Sequence, residues 1–311
     1  MNSKARFERF WRCEITPLTK DRARMKKLRP LIKYIGNKTR FAEHICAQFP
    51  RDYKTYFEPF LGSGAVLGCI APRRGVACDT IKPLIELWRL VQKKPQELID
   101  SYTENYQKFQ SDPPGAYEAI KARFNQEPNP HDFLFISRTC YAGVIRFRRD
   151  GYLSTPIGPH KPIAPSEFAA RATAWKHAVR NTEFVHGDYT EVIALAGDHD
   201  IVYCDPPYVD SQKIIYGAQE FILKRLFRDL TEAKLRGAFV ALSIDGVKKS
   251  GHRMISIVPP KGLFELEGYV AIGGSMLKRF WRDGLTVEDE QVKDRLLLSH
   301  QGVAMRQPSL F

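Results

Sequence analysis

Hydrophobic residues recur along this chain with two periods, one typical of buried strands and the other of amphipathic helices. Short apolar runs predict strands at residues 53–59, 76–79, 183–188, 201–205, 238–245 and 295–299. Apolar positions three and four residues apart predict helices from about residue 64, at 83–93, from about 95 to 125 with a break at 112–115, and at 221–235. Strands separated by helices indicate an α/β fold built on a doubly wound, mostly parallel sheet.

The interval from about 133 to 165 interrupts this alternation. Asp150-Gly151 lies between β-forming residues, which is the pattern of a hairpin turn. Three arginines, at positions 146, 148 and 149, alternate there with Phe147 and Tyr152. A ribbon of this composition can enter the major groove of DNA, where arginine reaches guanine edges. The alternative is an ordinary charged hairpin. A second hairpin of this kind, or a plain exposed turn, is predicted at 273–281.

Length and composition limit the class of protein. The chain has 311 residues, of which 43% are hydrophobic, so it can form one large α/β domain with an insertion, or two domains. No apolar run is long enough to span a membrane, and no signal peptide is visible. The six cysteines have neither disulfide nor metal-site spacing, and the histidines are scattered. We therefore expect reduced thiols, no metal and a cytoplasmic location.

Charge points to a polyanionic partner. The formal net charge is +13 and the isoelectric point is about 9.4, which is typical of nucleic-acid-binding proteins and also of some basic soluble enzymes. The first thirty residues contain ten Lys or Arg and three acids. This extension is interpreted either as a basic arm that follows phosphates or as a solvated terminus.

The segment Asp205-Pro206-Pro207-Tyr208 carries the most specific chemistry. It directly follows a predicted strand, and its two prolines restrict the backbone there. The Asp205 carboxylate and the Pro206 carbonyl can accept the two N–H bonds of an exocyclic amino group, while Tyr208 can stack on the ring that bears it. A proline-rich turn with a capping aspartate is the alternative.

A second motif, from Phe57 to Gly64, places a glycine-rich turn between a strand and a helix. Such a turn lets a ligand approach the backbone and the helix N-terminus closely. It lacks the Lys and Ser or Thr of a phosphate-binding loop, since Ala65 and Val66 follow, so it suits a cofactor without phosphates. Asp79 ends the next predicted strand, where a carboxylate can hold the two hydroxyls of a ribose.

Taken in order, five segments of this chain resemble the motifs of the α-class, Dam-type (D12 class) adenine-N6 DNA methyltransferases. The resemblance covers about residues 31–299. The matching segments are Leu31 to Lys38 for the N-terminal Lys-Trp-x-Gly-Gly-Lys motif, Phe57 to Gly64 for the cofactor loop, Arg138 to Arg146 for the start of target recognition, Gly187 to Tyr189 for the strand end beside the cofactor adenine, and Asp205 to Tyr208 for the catalytic tetrapeptide.

The resemblance implies a Rossmann-like class I methyltransferase with a seven-stranded sheet, S-adenosylmethionine as methyl donor and an inserted DNA target-recognition segment. Lys38 is expected either to pair with the methionine carboxylate or to form a structural ion pair, and Glu58 either to bind the methionine amino group or to cap a turn. Tyr34 is expected to pack on the sulfonium or the adenine. The implied catalytic residues are Asp205, Pro206, Pro207 and Tyr208. The implied cofactor-binding residues are Tyr34, Lys38, Glu58, Phe60, Gly62, Gly64, Asp79, Asp188, Tyr189 and Asp205. The implied DNA-binding residues are Arg138, Tyr141, Arg146, Arg148 and Arg149.

The implied reaction is direct in-line methyl transfer to N6 of an adenine. Because N6 lies inside the duplex, the base must flip out, at a cost of a few kcal/mol. Relatives that read GATC usually carry Asn where this chain has Ala142, and Gly-Arg-Tyr-Lys where it has Gly158-Pro159-His160-Lys161. We therefore expect a target other than GATC, with Arg148 or Arg149 contributing to guanine readout.

These observations predict four parts: a basic extension (1–30), a cofactor-binding part (31–94), a helical and hairpin target-recognition insertion (95–181) and a catalytic part (182–311). The predicted function is site-specific adenine-N6 methylation of double-stranded DNA within a restriction-modification system, with a cognate endonuclease as partner. Two alternatives remain: an RNA adenine methyltransferase, and a catalytically silent DNA-binding protein on the same scaffold.

Overall fold

The computed structural model describes residues 28–207, 223–245, 258–272 and 292–299. Its seven strands form one sheet in the order β3-β2-β1-β4-β5-β7-β6. Of these strands, β7 alone runs opposite to the other six, which confirms the predicted mostly parallel, doubly wound sheet. The strands are β1 Tyr56–Glu58, β2 Gly75–Asp79, β3 Thr182–His186, β4 Ile201–Cys204, β5 Phe239–Asp245, β6 Leu266–Ile272 and β7 Val292–Leu298.

Nine α-helices lie within the described residues. They are α1 Ala42–Cys46, α2 Ala65–Ile70, α3 Lys82–Lys93, α4 Pro95–Ser111, α5 Pro113–Gln126, α6 Pro130–Thr139, α7 Pro165–Ala178, α8 Tyr189–Leu195 and α9 Leu223–Leu235. The predicted break between α4 and α5 is confirmed, because Asp112 accepts a hydrogen bond from the Gly115 N–H and caps α5. The hydrophobic pattern did not predict α6, since residues 132–139 are all buried and show no helical period.

The sheet is the middle layer of three. Successive strand residues face opposite sides, so Tyr56 and Tyr203 pack on one side while Phe57 and Val202 pack on the other. The first side is covered by α1 to α7, and the second by α8 and α9. This arrangement buries both faces of the parallel strands, which explains why they read as continuous apolar runs.

Helices α4 to α7 fall within the predicted target-recognition insertion and share the core of the sheet. Tyr102 of α4 stacks on Phe168 of α7, with 4.2 Å between ring centroids. Trp175 of α7 in turn packs on Trp88 of α3, at 4.9 Å. Helices α4 and α7 are therefore joined to α3, and through it to the sheet, by a continuous aromatic core.

Candidate active site

The candidate site lies between β1 and β4, where the strand order changes direction. From β1 the chain continues to β2 on one side, whereas β4 lies on the other side of β1. In doubly wound sheets, ligands bind in the crevice beyond the carboxyl ends of strands at such a switch point. Glu58 ends β1, and Asp205 follows β4 directly. The fold thus brings together two motifs that lie about 140 residues apart in the sequence.

The loop after β1 turns sharply into α2. Gly62 and Gly64 have φ angles of +48° and +63°, a region that L-residues with side chains rarely occupy. A Cβ on Gly62 would lie 3.2 Å from Cε1 of Tyr34, so the aromatic ring of the N-terminal motif rests on this loop. Tyr34 and Gly62, two predicted cofactor residues, are therefore in contact, whereas Gly64 faces Trp88.

Asp79, at the end of β2, forms hydrogen bonds with the backbone of the same loop. Its carboxylate accepts hydrogen bonds from the N–H groups of Gly62 and Ile81, both at 3.0 Å. Burial raises the pKa of Asp79, and the hydrogen bonds from these backbone groups oppose that increase. The prediction that Asp79 binds a ribose stays a prediction. The structure adds a second role, because Asp79 also shapes the glycine-rich turn.

Lys38 forms an ion pair with Asp205. The Lys38 Nζ lies 2.9 Å from Oδ1 of Asp205, and the side chains are 5% and 20% exposed. Lys38 also donates to the carbonyl of Gly36, at 3.3 Å. Of the two roles considered for Lys38, this geometry favours the structural ion pair, since the ammonium balances the charge of the Asp205 carboxylate.

Glu58 is a buried acid beside this pair. Its side chain accepts a hydrogen bond from the Tyr56 hydroxyl, at 2.6 Å. Burial raises the pKa of Glu58 to about 8; the Tyr56 hydrogen bond lowers it, and the Asp205 charge raises it further. Within the described part of the chain, Glu58 forms no salt bridge with a Lys or Arg. A buried carboxyl group of this kind needs either a proton or a cationic ligand.

A further wall of the crevice comes from the end of β3. Asp188 caps α8 by accepting a hydrogen bond from the Thr190 N–H, at 2.9 Å. The adjacent Tyr189 packs on Phe60 of the glycine-rich loop, with 4.9 Å between centroids. Two predicted cofactor residues are thus in contact. Residue 188, predicted to belong to the strand, instead begins the helix.

Asp205, Pro206 and Pro207 follow β4 as predicted, and Pro206 is buried. Tyr208, the predicted stacking residue, lies outside the described residues, as do the basic extension up to residue 27 and the second hairpin at 273–281.

The predicted hairpin turns at Asp150-Gly151. The Arg148 N–H donates to the Tyr152 carbonyl at 2.8 Å, and an isolated bridge joins Phe147 to Leu153. Arg148 pairs with Asp150 at 2.6 Å and lies 5.1 Å above the Tyr152 ring. The side chains of Arg146 and Arg149 are exposed, as is Tyr141, at 36%. These positions leave Arg146 and Arg149 better placed than Arg148 to meet a new partner.

Arg138 does not belong to this surface. It is 3% exposed and donates to the carbonyls of Pro30 and Leu31, at 3.3 and 3.0 Å. This burial and these two hydrogen bonds argue against the prediction that Arg138 contacts DNA, because the guanidinium is directed toward the N-terminal motif and away from solvent. The arginine instead links α6 to residues 30–31 through these hydrogen bonds.

Gly143 lies against Lys33 of the N-terminal motif. A Cβ on Gly143 would lie 2.8 Å from Cβ of Lys33, so the two backbones touch. Next to it, Ala142 has a φ of +53°, a conformation that asparagine tolerates better than alanine. This is the position where GATC-reading members of the resembling family carry Asn. The backbone at this position therefore suits the missing side chain.

Sequence reasoning missed Trp88, which donates from Nε1 to the carbonyl of Gly62 at 3.3 Å. It also missed Arg225, whose guanidinium lies 5.8 Å from the Tyr189 ring centroid. Both residues lie on amphipathic helices outside any motif. Among the described residues, no group of three or more His, Cys, Asp or Glu could hold a metal ion, and no helix is long and apolar enough to cross a membrane.

The doubly wound sheet, the glycine-rich loop after β1 and the acid-proline-proline segment after β4 define the class as a Rossmann-like methyltransferase. The family profile of the D12 class N6 adenine-specific DNA methyltransferases matches residues 34–255. The chain belongs to this family.

Characterised relatives agree with this assignment. A DNA N-6-adenine-methyltransferase of Escherichia phage P1 is 29% identical over 231 residues, which cover 70% of this chain and 30% of that protein. A DNA adenine methylase of Haemophilus influenzae is 27% identical, covering 67% and 75%. The Type II methyltransferase M1.LlaDCHI of Lactococcus lactis is 27% identical, covering 58% and 66%. The chain thus spans less than a third of the phage protein.

Among solved structures, the rRNA methyltransferase aviRa from Streptomyces viridochromogenes aligns over 88% of this chain and 86% of its own. The sequence identity is 17% and the TM-score is 0.37.

Proposed function

We propose that this protein transfers the methyl group of S-adenosylmethionine to N6 of an adenine flipped out of double-stranded DNA. The observation that carries the proposal is the ion pair between buried Lys38 and partly buried Asp205 at the switch point, beside the glycine-rich loop. It holds a carboxylate at a fixed place, where an amino group can donate to it. Transfer of labelled methyl groups to duplex DNA, and not to RNA of the same sequence, tests the proposal and separates it from both alternatives.

The residues present fit S-adenosylmethionine. Gly62 has no side chain, so the Tyr34 ring lies directly against its α-carbon, and the backbone and the ring together can form one wall of a cofactor site. Asp79 would hold the ribose, and the buried Glu58 would face the methionine ammonium as its counter-ion. Tyr34, Phe60 and Tyr189 would contribute aromatic surface to the adenine or sulfonium.

The cofactor supplies an electrophilic methyl group, and the protein must make N6 nucleophilic. The N6 lone pair is delocalised into the purine ring. Asp205 and the Pro206 carbonyl would accept the two N–H bonds, which favours a tetrahedral nitrogen and exposes the lone pair. Lys38 keeps the Asp205 carboxylate in place. Tyr208 would stack on the flipped base, returning roughly 1–3 kcal/mol of the cost of flipping.

Cofactor binding should be linked to the protonation of Glu58. Because the pKa of Glu58 is raised to about 8, the carboxyl is neutral below that pH and must lose a proton to pair with an ammonium. The Kd for S-adenosylmethionine should therefore fall about tenfold per pH unit from about pH 6 to about pH 8. Calorimetry across a pH series measures this dependence.

Glu58→Gln provides the control, since it keeps a hydrogen-bond acceptor for Tyr56 and removes the titrating proton. We expect weaker but pH-independent binding in that variant. An analogue of the cofactor that lacks the amino group should also bind the wild type without this pH dependence. A wild-type Kd that stays constant from about pH 6 to 8 would disprove the linkage.

Single alanine variants of Arg146, Arg148 and Arg149 should separate base reading from phosphate contact. We expect Arg146→Ala or Arg149→Ala to cost about 1–3 kcal/mol of binding on the cognate site and little on a scrambled duplex. A variant that loses a phosphate contact should bind the cognate and the scrambled duplex more weakly alike. It should also reduce the slope of log binding constant against log salt concentration by about one. Arg148→Ala should have the smallest effect, because Asp150 already shares its charge.

Measuring the Kd of each variant for the cognate and the scrambled duplex across a salt series shows which arginines read a base and which contact phosphates. Equal losses of affinity for both duplexes in all three variants would show that the hairpin contacts only the DNA backbone. Sequence readout would then lie elsewhere, with 273–281 the next candidate.

The Type II methyltransferase among the relatives supports a restriction-modification role, and a cognate endonuclease is part of this proposal. The target is proposed to differ from GATC. Mapping methylated adenines in a genome from cells that express the protein would identify the target and provide the cognate duplex for the binding series.

A further inference from the structure

Trp88 contacts the glycine-rich loop from beneath. It lies on α3, outside the sequence motifs described above, and is fully buried. Its Nε1 donates a hydrogen bond to the carbonyl of Gly62, at 3.3 Å. Its ring also closes on Gly64, where a Cβ would lie 3.1 Å from Cζ2 of Trp88. One side chain therefore contacts both glycines that have a positive φ in this turn.

Gly62 is consequently held from three directions. Its N–H donates to Asp79 at 3.0 Å, its carbonyl accepts from Trp88, and the Tyr34 ring covers its α-carbon. The two peptide units that flank the α-carbon are thus each fixed by a different side chain. Glycine has the largest backbone freedom of any residue, so without such contacts this position would be the most costly part of the loop to order.

We propose that Trp88 is a positioning residue for the S-adenosylmethionine site: its indole N–H fixes the Gly62 carbonyl and so pre-forms the loop on which the cofactor rests. This inference depends on the proposed function for the identity of the ligand. A loop that is already ordered before binding loses no conformational entropy when the ligand binds. The binding free energy is therefore more favourable by the cost of ordering the loop. Trp88 acts through Gly62 and needs no contact with the cofactor.

The competing interpretation is that Trp88 only fills the core. Its ring packs on Trp175 and is stacked on Phe184, so any substitution lowers stability whatever the role of the N–H. Trp88→Phe distinguishes the two interpretations, because it keeps an aromatic ring and removes the hydrogen bond to Gly62.

Trp175→Phe is the matched control. Trp175 is 2% exposed and touches Trp88, and its Nε1 donates to the carbonyl of Arg29, at 2.9 Å. This variant also exchanges a buried indole for a phenyl ring and removes one hydrogen bond to a backbone carbonyl. That carbonyl, however, lies in the N-terminal segment and not in the loop.

The experiment measures the Kd for S-adenosylmethionine by calorimetry, the thermal unfolding temperature, and KM and kcat on duplex DNA for the wild type and both variants. We expect both variants to unfold at similarly reduced temperatures. Trp88→Phe should weaken cofactor binding about tenfold, the change that corresponds to about 1.4 kcal/mol, and raise KM for the cofactor with kcat at saturation unchanged. Trp175→Phe should leave the Kd within about twofold of the wild type.

Equal changes in Kd for the two variants, or an unchanged Kd in Trp88→Phe, would overturn the positioning role and leave Trp88 as a core residue. A wild-type protein that does not bind S-adenosylmethionine would instead overturn the proposed function, and the inference with it.

Discussion

Asp205→Ala is expected to lower the methylation rate at saturating cofactor and DNA by a factor on the order of 10²–10³ or more. The carboxylate is the proposed acceptor for the target amino group, and this variant removes it while leaving the glycine-rich loop and Asp79 in place. Single-turnover transfer of labelled methyl groups, with both substrates in excess of their Kd, measures the chemical step. A rate within about tenfold of the wild type would contradict the proposed role of Asp205.

Stability must be followed in the same experiment, because Asp205→Ala also removes the partner of a buried lysine. Lys38 is 5% exposed and pairs with Asp205 at 2.9 Å, and an uncompensated buried charge typically costs about 3–5 kcal/mol. Asp205→Asn keeps the shape and one oxygen acceptor but loses the charge. Thermal unfolding of both variants, together with Lys38→Met/Asp205→Ala, separates loss of chemistry from loss of fold. The double variant should regain stability without regaining activity.

Asp79→Ala is expected to weaken S-adenosylmethionine binding by about 10²-fold or more, since two hydrogen bonds from ribose hydroxyls to a carboxylate would be lost at about 1.5–3 kcal/mol each. The variant also removes the acceptor of the Gly62 and Ile81 N–H groups, so the loop itself should loosen. DNA binding in the absence of cofactor should change far less. Calorimetry with the cofactor, and gel-shift titration with DNA, provide the two affinities.

Asp112→Ala is a suitable control for this variant. Asp112 likewise accepts a hydrogen bond from a backbone N–H, that of Gly115 at 3.0 Å, but it caps α5 at an exposed position away from the site. Its loss should cost about 0.5–2 kcal/mol of stability and leave cofactor affinity unchanged. Unchanged cofactor affinity in Asp79→Ala would refute the ribose contact.

The sequence by itself determined six of the seven strands, with β6 the exception, and the order of the motifs at their ends. The strands that end in Glu58, Asp79 and Cys204 are short apolar runs buried on both faces, and local composition is enough to reveal such runs. The prolines at 206 and 207 restrict the backbone whatever surrounds them. The glycines at 62 and 64 likewise allow backbone angles that other residues rarely adopt. Parallel strands then place all these carboxyl ends at one edge, so the candidate site follows from the motifs and their order.

Only the tertiary structure decided which partners the charged and aromatic side chains have. The sequence left Lys38 with two roles, and the fold pairs it with Asp205 because β4 ends beside the N-terminal motif. Arg138 stands in a recognition motif but points inward to the carbonyls of residues 30 and 31, and Trp88 stands in no motif but fixes Gly62. Hydrophobic periodicity reports whether a side chain is buried, whereas hydrogen bonds and ion pairs depend on distances between residues tens to hundreds of positions apart. Those distances exist only once the chain has folded.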